Sequence, residues 1–191
     1  MSDSPAELLP RQIKRHTSLR DVAIIYPACE PSSLALAQQI AETLETRGAS
    51  KPECVADTVL MPERSVPLPQ AYREKTLIVL GGLHTNRTLQ PLYANFLCAT
   101  DGRYPGGDGY DLRTIINPYG TESNIILVGG STLRGVERAT EILIGNISQA
   151  DDLAALDYQF SVEVEPTLLK NLYEWPHTLL EDVVDFEAMR R

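Results

Sequence analysis

Two short apolar runs, each followed by a helix-period stripe, constrain this chain most. Asp21–Ala28 (DVAIIYPA) is rich in β-branched residues and reads as a buried strand. Pro31, Ser32 and Ser33 then open a helix, with proline tolerated in the first turn and serine able to cap. Leu36, Ala37, Ile40, Ala41 and Leu44 give that helix one apolar face, and Gly48 stops it. The pattern returns later. Asn124–Val128 (NIILV) runs through Gly129 and Gly130 into a helix with Leu133, Val136, Thr140, Leu143, Ile144 and Ile147 on one side.

Other elements fill the interval. Cys54–Leu60 (CVADTVL) reads as a second strand, and the three prolines of MPERSVPLPQ make the next stretch a loop. Thr76–Leu80 (TLIVL) is a buried strand ended by Gly81 and Gly82. Beyond it, Leu89, Leu92, Tyr93, Phe96 and Leu97 predict a helix with Pro91 near its start. Tyr110–Ile116 and Asn124–Val128 form an antiparallel hairpin across the turn Asn117–Gly120. Tyr158, Phe160, Val162 and Val164 alternate with polar residues, as in a half-exposed strand. The order β-α-β-β-α-β-β-α-β predicts an α/β (α+β) fold: a mixed β-sheet with helices packed on it, as a two-layer sandwich or a three-layer variant.

The chain has 191 residues, a length for one domain with a real core. Its 26 acids outnumber 17 Lys and Arg, for a net charge of -9, which argues against binding nucleic acid. The charge is uneven, because ten acids after Ala150 face only Lys170, Arg190 and Arg191. The expected organisation is an N-terminal arm over 1–20, an α/β body over 21–165 and an acidic linker or docking segment over 166–191. That segment contains a weak helix (TLLKNLYEW), another near the end, and Trp175 as an anchor onto the body. Cys29, Cys54 and Cys98 are far apart and odd in number, so each reads as a small buried hydrophobe, and no metal site is expected. No apolar stretch is long enough to span a membrane and no signal segment is visible, so a soluble, cytoplasmic setting is the default.

Three stretches can carry chemistry. Gly129-Gly130-Ser131-Thr132, with Arg134 and Gly135, places glycines and a helix N-terminus where a phosphate or sugar binds, yet it matches neither GxxxxGK[ST] nor GxGxxG. The alternative is a tight turn with Ser131 or Thr132 as the cap. Gly81-Gly82-Leu83-His84-Thr85-Asn86-Arg87 follows a strand end, the place where open α/β sheets bind ligands. His84 is a base or donor there, or Asn86 and its neighbours are loop and cap residues. The third stretch, Asp101–Tyr110 (DGRYPGGDGY), offers two tyrosines and two aspartates to a sugar, or is a long connection. No GxSxG, HExxH or convincing Ser–His–Asp set is present, so no catalytic residue and no cofactor is assigned.

The succession TLIVLGG, amphipathic helix, GYDLRTI and NIILVGGSTLRGVERATEIL resembles the small α/β domain that precedes the catalytic barrel in family 20 hexosaminidases and bacterial α-glucuronidases. Gly109-Tyr110-Asp111-Leu112, Ile126–Val128, Gly130 and Gly135 carry the match, which extends over about residues 20–165. The resemblance implies an accessory domain whose catalytic acids belong to a neighbouring barrel or lyase module, although no start of a barrel is recognisable after Glu165. Two functional readings follow. The first is a non-catalytic N-terminal accessory domain of a larger glycoside hydrolase or polysaccharide lyase, packing against and positioning the catalytic module of the same polypeptide, with a glycan in reach. The second is a stand-alone sugar- or phosphate-binding or enzymatic domain whose site is lined by Gly81, His84, Asn86, Gly130, Ser131 and Arg134.

Overall fold

The computed structural model describes residues 16–166. Residues 1–15 of the expected arm, and residues 167–191 with the two predicted helices and Trp175, lie outside the described residues. Among the described residues, eight strands and five α-helices follow in order: β1 His16–Thr17, β2 Val22–Tyr26, α1 Ser32–Thr46, β3 Glu53–Ala56, α2 Asp57–Leu60, α3 Gln70–Arg73, β4 Thr76–Leu80, α4 Gln90–Ala94, β5 Tyr110–Ile115, β6 Ile125–Gly130, α5 Leu133–Gln149, β7 Leu156–Asp157 and β8 Phe160–Glu163.

Six strands make one mixed sheet in the order β3-β2-β4-β6-β5-β8. β3, β2, β4 and β6 run parallel, and β5 is antiparallel to both neighbours. The fully buried run of β4 follows from its central place, where both faces are covered. The two long helices α1 and α5 pack side by side on one face. Ala37, Ile40, Ala41 and Leu44 of α1 and Val136, Ala139, Leu143 and Ile147 of α5 meet Ile24, Ile78, Leu112, Ile126 and Val128 there. The other face is covered more thinly, by Leu60, Met61, Leu68, Leu89 and Leu92 from one-turn helices and connections. The sheet with helices packed on it is therefore the predicted class.

Local differences from the sequence reading have physical causes. The predicted strand 54–60 splits after Ala56, because the Asp57 carboxylate is buried and receives two backbone N–H groups, starting a helical turn. The predicted helix through Leu97 ends at Ala94, and Phe96 takes φ 59° with its ring 95% exposed. Ser18 and Arg20 are exposed, yet His16–Thr17 pairs with Leu156–Asp157 and Leu19 is fully buried in the core. Residues 16–20 are thus integral to the body rather than an arm. In β8 the alternation is turned over. Gln159 is buried, Phe160 is 78% exposed, and Phe160 and Val162 share the sheet face away from α1 and α5.

Candidate functional site

The strand order turns between β2 and β4, since the chain leaves β2 for β3 on one side and returns to β4 on the other. In open α/β sheets the crevice at such a turn, at the carboxyl ends of the strands, is where ligands bind. Its lips here are residues 27–31 after β2 and 81–86 after β4. Asp57 ties them together: its Oδ1 accepts from Ala28 N–H at 2.8 Å and its Oδ2 from Arg87 N–H at 2.9 Å.

Asn86 is fully buried and completely satisfied. Its Nδ2 donates to the Leu80 carbonyl at 2.8 Å and to the Ile25 carbonyl at 3.4 Å, while Oδ1 accepts from Thr88 N–H at 3.0 Å and the Thr88 hydroxyl at 2.6 Å. It staples β2, β4 and the following turn, which leaves no polar atom for a ligand. Gly81 has φ 103°, and a Cβ there would sit 2.7 Å from the Thr85 hydroxyl, so the turn requires glycine. His84 is exposed beside Gly102, where an added Cβ would lie 2.9 Å from its Cδ2.

The second glycine-rich stretch is knitted to the 100–109 loop. The Ser131 hydroxyl donates to the Asp101 carbonyl at 2.7 Å and accepts from Gly106 N–H at 2.9 Å. Thr132 caps α5, with its Oγ1 accepting from Gly135 N–H. A Cβ on Gly130 would come within 2.6 Å of the Val136 nitrogen, so close strand–helix packing explains this glycine. Arg134 projects from the first turn of α5 and pairs with Glu137 at 3.1 Å. Of the six candidates, Gly81 and Asn86 build one strand-end turn and Gly130 and Ser131 another. His84 and Arg134 present exposed side chains.

The 101–110 loop is similarly self-contained. Asp101 Oδ1 accepts from the N–H groups of Arg103 and Tyr104, and its Oδ2 from the Tyr93 hydroxyl at 2.9 Å. Burial pushes this carboxyl up, but those donors and nearby His84 together hold it below the usual carboxylate range. Tyr110 donates to or accepts from Ser161 at 3.0 Å, and the Arg138 guanidinium lies 5.1 Å from its ring centroid. Arg138 also bonds Glu163 at 2.7 Å and the Asp108 carbonyl at 2.8 Å.

Several functional candidates escaped the sequence reading. Cys29 is not a buried hydrophobe: it is exposed at the crevice, with its thiol donating to the Thr85 carbonyl at 3.3 Å. Cys98 is buried, and burial with Asp111 nearby pushes its thiol up to about 11. Asp111 is fully buried and held by Thr100 at 2.8 Å and Arg113 at 2.6 Å. The Arg113 guanidinium in turn lies 5.8 Å from the exposed Phe160 ring. The signal available for Asp57 was one acid inside an apolar run; for Phe160 there was none. Among the described residues no group of three or more His, Cys, Asp or Glu is placed to hold a metal ion, and no helix is long and apolar enough to cross a membrane.

Fold and site together define an α/β domain with a mixed sheet. No protein-family model matches the chain, and no curated protein matches it.

Proposed function

We propose that this chain is a non-catalytic accessory domain of a carbohydrate-active enzyme, a glycoside hydrolase or polysaccharide lyase, that packs against and positions the catalytic module. The observation that carries this reading is the apolar face of the edge strand β8, with Phe160 78% exposed. Phe160 and Val162 stand side by side on that face, and neighbouring apolar side chains on a strand form a patch that another body can cover. The internal use of Asn86 and Ser131 at the strand ends supports it, since those groups brace turns instead of facing a ligand. The short motifs around Gly109–Leu112 and Gly130–Gly135 support the enzyme class through resemblance alone. Reading the gene outward from these codons, with turnover assays of the chain on aryl glycosides and polyuronates, tests the proposal. A frame that continues into a hydrolase or lyase module and a chain inert by itself are expected. Turnover by the chain alone, abolished by His84→Ala, would overturn it.

One observation favours a second reading. His84 and Cys29 are both exposed at the crevice between β2 and β4. In that reading the crevice binds a sugar or phosphate. A thermal-shift panel of sugars and nucleotides decides it: stabilisation lost in His84→Ala supports binding, and no shift with any compound contradicts it.

A further inference from the structure

Among the described residues β8 is the last strand of the six-stranded sheet and pairs with β5 alone. The direction of its backbone groups follows from neighbouring bonds. Thr114 N–H donates to the Gln159 carbonyl at 2.8 Å, and Glu165 N–H donates to the Pro105 carbonyl at 3.0 Å. Odd-numbered residues therefore face β5, and by the alternation of an antiparallel ladder Phe160 and Val162 present N–H and C=O outward. Natural edges are blunted by proline, lysine or bulges, and Phe160–Glu163 contains none of these.

The surroundings give the edge a chemical preference. Phe160 and Ser161 also line a cleft of about 600 Å³, together with Asn146, Asp151, Asp152 and Asp157. The Asp157 carboxylate pairs with the exposed His16 ring at 3.1 Å, and Asp152 meets Arg20 at 3.8 Å while capping Ala154. Asp151 is exposed. Glu163 is already neutralised by Arg138. On the face of β8 opposite Ser161 lie the apolar Phe160 and Val162 side chains, with Phe160 also at the edge of the cleft.

We propose that the edge of β8 turned away from β5, which no described strand covers, binds an extended, basic segment of the partner module by strand addition. Its Lys or Arg side chains alternate toward the acidic cleft and its apolar side chains toward Phe160 and Val162. Outward N–H and C=O groups supply the attachment, and the two faces supply specificity. This rests on the accessory-domain reading for the identity of the partner, though not for the existence of the edge.

The test uses the full 191-residue chain, labelled for amide NMR, and the peptide acetyl-Lys-Val-Lys-Val-Lys-Val-Lys-amide. Shifts centred on Phe160 and Val162 are expected, weakening with salt because part of the attraction is charge. Val162→Pro removes an outward N–H while leaving the pairing with β5, and it should weaken binding about tenfold. Asp151→Lys combined with Asp157→Asn should do the same, because both side chains are exposed and the amide can still accept from His16. The proposal is overturned if Lys-Pro repeats of equal charge, or Glu-Val repeats, bind equally well. It is equally overturned if the shifts fall on Gly81–Asn86, if both variants bind normally, or if no shift occurs. A downstream module with no peptide response sinks the edge and spares the accessory reading. A peptide response with no such module does the reverse.

Discussion

Asn86→Ala separates a structural residue from a ligand-binding one. The side chain is fully buried, and its removal breaks two bonds accepted from Thr88 and two donated to the Leu80 and Ile25 carbonyls, one of them long. Losing three good bonds and orphaning their buried partners costs about 4 kcal/mol, at roughly 1–1.5 kcal/mol for each partner left unsatisfied. For a domain of this size that lowers the melting temperature by about 12 °C. Urea denaturation followed by circular dichroism measures the loss, with Thr88→Val as a partner variant that should show less than additive cost when combined. The reasoning is refuted if Asn86→Ala changes stability by less than about 1 kcal/mol. A normal melting curve accompanied by lost ligand binding would instead place Asn86 in a site.

Other expectations follow from single contacts. Gly135→Ala puts a Cβ 2.2 Å from the Gly109 carbonyl oxygen, so it should destabilise by about 2–4 kcal/mol. Gly145→Ala on the same helix meets nothing within 4 Å and should stabilise by about 0.5–1 kcal/mol; paired urea midpoints read both. Phe160→Ser should change stability by less than about 0.5 kcal/mol, since the ring is 78% exposed and leaves no cavity. For the alkaline limb, burial first and Asp111 second raise the Cys98 thiol from 9.0 to about 11, so the folded state holds its proton longer than the unfolded state. That contribution is whole below pH 9.0 and is lost as pH rises toward about 11. Tyr119, raised by burial from 10.0 to about 12, acts in the same direction. The urea midpoint should fall across that window, and less steeply in Cys98→Ala. At neutral pH a thiol reagent should modify Cys29 and spare Cys98 until the chain unfolds.

How much of this was legible in the residues depends on what each pattern reports. β2, β4, β6 and the helices α1 and α5 were readable because a β-branched run buried on both faces and a 3.6-residue stripe each leave a direct trace. The β5–β6 hairpin was readable from Asn117–Gly120, although pairing extends to Gly130 opposite Tyr110. Alternation predicts a half-exposed strand over Tyr158–Val164 but does not say which face is covered, and the long helices cover the Tyr110 and Leu112 side, opposite Phe160 and Val162. The stripe through Phe96 misled because apolar spacing is blind to a left-handed residue that ends a helix. At the strand ends, an asparagine after Gly-Gly reads the same whether its amide serves a ligand or a carbonyl. Only the Leu80 and Thr88 contacts decide that Asn86 is a brace.

Amide hydrogen exchange tests the central claim most directly, comparing residues 1–191 alone with the same residues in the product of the complete reading frame. The account predicts slowed exchange at Phe160 and Val162, with the Gly81–Asn86 and Gly130–Arg134 turns unchanged. Protection confined to those turns, with β8 exchanging as in the chain alone, would contradict it.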